Sequence, residues 1–468
     1  MTKLQYDELM LGEKAKLMYL KDAEADIKGL PTYLNTRPVV ANLNVTDMAI
    51  AAVLGGLNLL LVGDTGCGKT QLAKDIYNHY FGGNKKEGGN GVFMRGRPDL
   101  DVYNEIFTEL NIERATRVLT DSIESVVYLV DELNRCPPVG QNQFFGLGDG
   151  TMDYNGRAIQ IGREGYHILV ATANIGNGEF SGTFSTDKAL YNRAHIAIDF
   201  DFAMYKPTLE DNVLLDAMFT ANPNVKDSSK RDLTDRIIEA SREIADIAKD
   251  PGRDILAVKN YLQFGLDNCM AAGCKEKRWP QSCQDCDKNK GDKNKKKDGT
   301  EDDTSAVCSL VRAPVRRTIN ATIKYAAALY YLSKMKDPSV SIDGAELMFK
   351  AFEMAGAYQQ ILNPQVLQMD YAGENPRMMS EVAALLRKDY EANRFFINAK
   401  MDAELDKGKT ITGFFRYKKD GVDKIGLFDN LEAPAAKKTT KIVPFTDDRP
   451  VGLKWVEGFV EQMKRLKR

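Results

Sequence analysis

The sequence predicts an α/β fold: a parallel sheet that carries a phosphate-binding loop, then an all-helical region, then a small α+β C-terminal part. Three stretches predict the sheet. Leu59-Leu60-Leu61-Val62 is an apolar run of strand length, and Gly63-Asp64-Thr65-Gly66-Cys67-Gly68-Lys69-Thr70 follows it with the pattern G-x-x-x-x-G-K-[ST]. Val126-Val127-Tyr128-Leu129-Val130 runs straight into two carboxylates, Asp131 and Glu132. Ile168-Leu169-Val170-Ala171-Thr172-Ala173 ends on Asn174. Strands buried on both faces read as continuous apolar runs, and in open α/β sheets ligands gather at the strands' carboxyl ends.

The glycine loop is the most specific of the three. Gln71-Leu72-Ala73-Lys74-Asp75-Ile76-Tyr77 after it reads as a helix. Strand, loop and helix N-terminus then form an anion site, because the curled backbone turns successive N–H groups inward and the helix dipole adds positive potential. Gly63 to Gln71 are the expected nucleotide-binding residues. Lys69 would reach the β- and γ-phosphates of ATP, and the Thr70 hydroxyl would ligate Mg²⁺. Downstream of such a loop, Asp131 would hold Mg²⁺, directly or through water, and Glu132 would act as general base on the attacking water.

Composition excludes several classes. A chain of 468 residues with 43% apolar and 28% charged residues is an ordinary globular composition, long enough for two to four domains. A net charge of −2 leaves no nucleic-acid footprint. The longest apolar run, Ala49 to Val62, is too short for a membrane span and contains Asn58. The N-terminus is too charged for a signal peptide. Seven cysteines, five of them between Cys269 and Cys308, favour a reducing compartment, hence the cytoplasm, and a local metal site over a disulfide framework.

Asp131-Glu132-Leu133-Asn134-Arg135-Cys136-Pro137-Pro138 resembles the D-E-I-N-R-A-P-P signature of MoxR-type AAA+ ATPases. The resemblance extends over about residues 38 to 362, apart from a Cys/Lys-rich insert. It takes in a helix with Gln141, Asn142 and Phe144, then Gly148-Asp149-Gly150, then Tyr154 to Ile161 with an Asn155-Gly156 hairpin turn. It implies that Asn174 is sensor 1, and that Arg193, in Ala189-Leu190-Tyr191-Asn192-Arg193-Ala194, is an arginine finger reaching a neighbouring subunit's nucleotide. Asn192 and Ala194 depart from the family's A-x-L-D-R-F. Arg317, with Arg316 as the second choice, falls on the sensor-2 arginine at a helix start. The family implies a homo-oligomeric ring, a hexamer by resemblance. It also implies a chaperone-like action on a protein partner, often one with a von Willebrand factor A domain. A related core drives restriction-type nucleases with GTP, and a nucleotide-gated scaffold without catalytic work is a third possibility.

The domains expected are an N-terminal helical arm (1–37), an AAA+ α/β core (38–206), a helical lid (207–363) with the insert (269–308), and an appended region (364–468). Thr46-Asp47 should cap a helix from Met48 to Leu54, and Gly82 to Gly91 reads as a flexible loop. Lid helices are expected around Leu233 to Ile247, Val315 to Met335 and Ala345 to Ile361. Cys269, Cys274, Cys283 and Cys286 form C-x₄-C-x₈-C-x₂-C, with Cys308 in reserve, a pattern for structural Zn²⁺; an iron–sulfur cluster and free surface thiols are the alternatives. Residues 288–303 read as a solvated, charge-balanced tract rather than a nucleic-acid contact. Glu381 to Phe396 should be helical, a hairpin is expected between Thr410 and Phe428, and Trp455, Phe459, Met463 and Leu466 line one face of a C-terminal helix.

Overall fold

The computed structural model describes residues 33–425 apart from 112–115, 155, 176–182, 185, 218–229, 250, 268–279, 281–282, 284–306, 407–415 and 420–421. The N-terminal arm up to 32, most of the Cys/Lys-rich insert and the C-terminal aromatic stripe fall outside the described residues.

The strands in chain order are β1 (Leu59–Gly63), β2 (Gly91–Arg95), β3 (Thr108–Asn111), β4 (Thr116–Leu119), β5 (Val127–Asp131), β6 (Thr151–Tyr154), β7 (Arg157–Gln160), β8 (Ile168–Asn174), β9 (Ile196–Asp199), β10 (Arg416–Lys419) and β11 (Val422–Ile425). The helices are α1 (Val45–Leu54), α2 (Lys69–Phe81), α3 (Pro138–Gln141), α4 (Gln143–Asp149), α5 (Lys188–Tyr191), α6 (Leu209–Ala217), α7 (Thr234–Lys249), α8 (Arg253–Gln263), α9 (Val307–Leu310), α10 (Arg316–Lys336), α11 (Gly344–Gly356), α12 (Pro364–Asp370) and α13 (Asn375–Asp406). The protein is thus a mixed α/β chain with many helices.

Five strands form one sheet in the order β2-β5-β8-β1-β9, and every pair is parallel. The three apolar runs of the sequence lie side by side at its centre, and β1 and β5 are buried at every position. Register does the rest. Gly63 pairs with Asn174, and Val130 pairs with Ala171, so the polar residues that end each run emerge along one edge. β2 was not foreseen, although Gly91-Val92-Phe93-Met94 is a short apolar run.

The cap of α1 lies two residues earlier than the sequence suggested. The Asn44 side chain accepts from the Asp47 N–H at 2.9 Å, and Asp47 accepts from the Asn44 N–H at 3.0 Å, a reciprocal capping box. Every residue of α1 is buried. Asp47 pairs with Lys336 of α10 at 2.9 Å, and the Tyr325 hydroxyl donates to the Met48 carbonyl. The segment from 82 to 91 is also more structured than its glycines implied. Gly82 ends α2 in the left-handed conformation, Asn84 caps a short 3₁₀ turn, and Gly91 starts β2.

Two antiparallel hairpins project from the sheet's connections. β6 and β7 pair as a hairpin with Tyr154 opposite Arg157, and Asn155 of the expected Asn155-Gly156 turn lies outside the described residues. β3–β4 was not anticipated. The two touch: the Tyr154 hydroxyl donates to the Arg117 carbonyl, and the Tyr103 and Tyr154 rings stack. Helices α7, α10 and α11 form where the sequence placed them, although α11 ends at Gly356, short of Ile361. β10 and β11 pair as a hairpin, and α13 contains the expected stretch.

Candidate nucleotide-binding site

β1 delivers the chain to the loop at Gly63, and α2 leaves it at Lys69. Gly68 is the N-cap of α2 at φ +101°, a conformation that a Cβ would strain. There is also no room for one, because the Tyr33 side chain packs where it would project. The Tyr33 hydroxyl donates to Asp75 at 2.7 Å and its ring stacks on Phe200, so an aromatic pair flanks the loop. Tyr33 went unremarked in the sequence, since its place depends on tertiary packing. Burial, then Asp75, push its hydroxyl pKa up. Lys69 is buried and donates to the carbonyls of Gly63 at 3.0 Å and Asp64 at 2.5 Å, which holds its ammonium inside the curl. Cys67 Sγ lies 3.4 Å from it, and burial raises that thiol's pKa. Gln71 hydrogen-bonds Asp75 on the first turn of α2.

The two acids sit beside the loop. The Thr70 hydroxyl donates to Asp131 Oδ1 at 2.8 Å, and the Thr172 hydroxyl donates to the same oxygen at 2.8 Å. Glu132 has φ +56° and ψ 49°, left-handed for a residue with a side chain. Its N–H donates to Thr172 Oγ1 at 2.8 Å, and its carboxylate pairs with Arg135 at 2.9 Å. Gly96 completes the corner: its N–H donates to the Asp131 carbonyl, and a Cβ there would overlap the Glu132 carbonyl. A hydroxyl and a carboxylate in contact form an all-oxygen donor set, which fits the hard cation Mg²⁺. Thr70 and Asp131 are the residues that would hold it.

Asn174 ends β8 next to the loop. Its backbone is gripped by Asn134, whose Nδ2 donates to the Asn174 carbonyl at 2.9 Å and whose Oδ1 accepts the Asn174 N–H at 3.3 Å. Asn134 itself is buried. The sequence named it as part of a signature but gave it no task.

Arg193 and Arg317 lie elsewhere, at the opposite edge of the sheet. Asn58 precedes β1, and its Nδ2 donates to the Arg193 carbonyl at 2.9 Å and the Gly148 carbonyl at 2.8 Å. At about 3.3 Å per residue, Asn58 is roughly 16 Å along the strand from Gly63. The Arg193 guanidinium bonds Asp149 through Nε at 2.9 Å, donates to the Ala189 carbonyl, and stacks over Phe145. Arg317 approaches the other Asp149 oxygen at 3.4 Å. One carboxylate thus faces two guanidiniums. His195 beside them accepts from the Asn58 N–H and is pushed down to about 4, by burial first and then by Lys324, Arg317 and His167. Arg316 lies in the first turn of α10 and is exposed.

Of the thiols proposed for Zn²⁺, Cys269, Cys274 and Cys286 fall outside the described residues. Cys283 is buried, and Cys308 lies in α9. Among the described residues, no group of three or more His, Cys, Asp or Glu stands ready for a metal. Among them, too, no helix is long and apolar enough to cross a membrane.

No protein-family model matches this chain, and no curated protein does. Among solved structures it is similar to a proposed ATPase from Cytophaga hutchinsonii, at 14% identity and a TM-score of 0.49, over 81% of this chain and 93% of that one. A likeness this remote fixes neither family nor activity, so function has to be read from the site itself.

Proposed function

We propose that the chain is a Mg²⁺-dependent ATPase of the MoxR-type AAA+ kind, which closes its active sites between the subunits of a ring and uses turnover to remodel a protein partner. One observation carries the reading. Three strand ends far apart in sequence place the glycine loop with Lys69, the Thr70–Asp131 pair, Glu132 and Asn174 at one edge of a parallel sheet.

The chemistry follows from the residue types. The loop N–H groups and Lys69 bind and orient the β- and γ-phosphates. Mg²⁺ held by Thr70 and Asp131 would neutralise phosphate charge. Glu132 takes the proton of the attacking water, which requires its carboxylate to leave Arg135. The Asn174 side chain orients that water or the γ-phosphate. A guanidinium then offsets the charge that develops on the transferring phosphoryl group. Arg193 cannot supply this to its own loop from the far edge of the sheet, so it serves a neighbour's.

Light scattering with and without Mg-ATP tests the ring, and a mixing experiment tests the shared site. Arg193→Ala and Lys69→Ala are each expected to lose about 10³-fold or more in turnover. Mixed, each lends the other its intact half, and part of the activity returns. A protein that stays monomeric in Mg-ATP, with no restoration on mixing, would overturn the ring. Comparing ATP with GTP separates this reading from a GTP-driven motor.

A further inference from the structure

We propose that Thr172 is a positioning residue for the hydrolytic step: a single buried hydroxyl that sets both the metal-side carboxylate and the backbone of the general base. The proposal rests on the ATPase reading above. Thr172 sits within β8, one residue beyond the Val130–Ala171 pair, so register brings it level with Asp131 on the adjacent strand. It is 1% exposed, deep in the sheet, where a polar side chain needs a reason to be.

Its oxygen is used in both directions. It donates to Asp131 Oδ1 and accepts the Glu132 N–H, each at 2.8 Å. A hydroxyl can do both, whereas an ammonium or a bare carboxylate could do only one. Its place in the site differs from that of Thr70. The Thr70 hydroxyl also donates to Asp131 Oδ1, but Thr70 is the loop residue expected to turn to Mg²⁺. Thr172 would then be the hydroxyl left holding that carboxylate in orientation.

The second bond addresses a strained backbone. Glu132 is left-handed, a conformation unfavourable for a side-chain-bearing residue that persists only where the surroundings impose it. The Thr172 oxygen anchors the Glu132 N–H, and Gly96 leaves space for the Glu132 carbonyl on the other side. The left-handed turn at Glu132 redirects the chain from β5 into the short 3₁₀ turn Leu133–Arg135. The hydroxyl therefore couples β8, which carries Asn174, to Asp131 at the end of β5 and to Glu132 just beyond it.

The test compares turnover, ATP affinity and Mg²⁺ dependence in four full-length proteins: wild type, Thr172→Val, Thr172→Ala and Thr172→Ser. A fluorescent ATP analogue reads affinity independently of activity. Losing a hydrogen bond to an ionised group and leaving an amide unpaired should lower kcat about 10- to 100-fold in Thr172→Val and Thr172→Ala, with KM for ATP within about threefold. The Mg²⁺ needed for half-maximal rate should rise in both. Thr172→Ser keeps the hydroxyl and should stay within about threefold of wild type. If Thr172→Val fails to fold, Thr172→Ser against Thr172→Ala still isolates the hydroxyl. Equal turnover in that pair, or a loss confined to thermal stability, would overturn the proposal while the ATPase reading stands. A wild type that binds Mg-ATP without hydrolysing it would remove both.

Discussion

Asn58→Ala should destabilise the far edge of the sheet, because Asn58 ties several buried backbone groups together there. It is 1% exposed at the entry to β1, and its side chain makes three hydrogen bonds there. Nδ2 donates to the Gly148 and Arg193 carbonyls, and Oδ1 accepts the Leu169 N–H at 2.9 Å. Asn58→Ala leaves two buried carbonyls and one amide without these partners. At about 1 kcal/mol net for each bond, with part of the loss relieved by water, destabilisation should be about 2–4 kcal/mol. Spread over a chain of 468 residues, that corresponds to a melting temperature lower by roughly 2–5 °C. Asn58→Asp should be worse, since it turns a donor toward two carbonyls into an acceptor. Urea unfolding followed by circular dichroism measures the effect. Because Asn58 holds the backbone on both sides of the Arg193–Asp149 pair, turnover in the assembled protein should fall as well. An Asn58→Ala protein within 0.5 kcal/mol of wild type, at unchanged denaturant slope, would refute the claim that this side chain ties the far edge of the sheet together.

Other outcomes follow from the same geometry. Asn134→Ala removes both hydrogen bonds to the Asn174 backbone and should reduce turnover about tenfold while ATP binding persists; steady-state kinetics beside a binding titration would show it. His195 is held down to about 4, against about 6.5 in an unfolded chain, so the unfolded chain takes up a proton in that interval that the folded one refuses. Its contribution is therefore complete above about pH 6.5, declines as pH falls toward 4, and levels off below, for a total of about 3 kcal/mol. Unfolding free energies across that window should show a flatter pH profile in His195→Gln than in wild type.

The strands that bear the site were legible because each is an apolar run ending abruptly in polar residues, and burial on both faces demands that pattern. The β6–β7 turn was legible because Asn-Gly suits the left-handed backbone of a two-residue hairpin, and Gly156 has φ +74°. The first helix cap was misplaced because Asn44, Thr46 and Asp47 are all competent caps, and only the reciprocal Asn44–Asp47 bonds decide among them. The glycines from 82 to 91 suggested mobility, yet Gly82 and Gly88 supply left-handed turns within a defined bend. The tasks of Thr172, Asn134, Tyr33 and Asn58 were not legible, since each arises from contact with a residue far away in sequence. Nor was it legible that Arg193 and Arg317 share Asp149, because that meeting joins α4, the segment before β9 and α10.

In the proposed reading, the edge formed by Gly63–Thr70, Asp131, Glu132 and Asn174 hydrolyses ATP. Phosphate release under saturating Mg-ATP, from wild type and from Glu132→Gln, decides it, with nucleotide binding measured on both. Wild type should turn over, and Glu132→Gln should lose about 100-fold or more with ATP still bound. Equal rates in the two proteins, or no phosphate release from a wild type saturated with Mg-ATP, would contradict it.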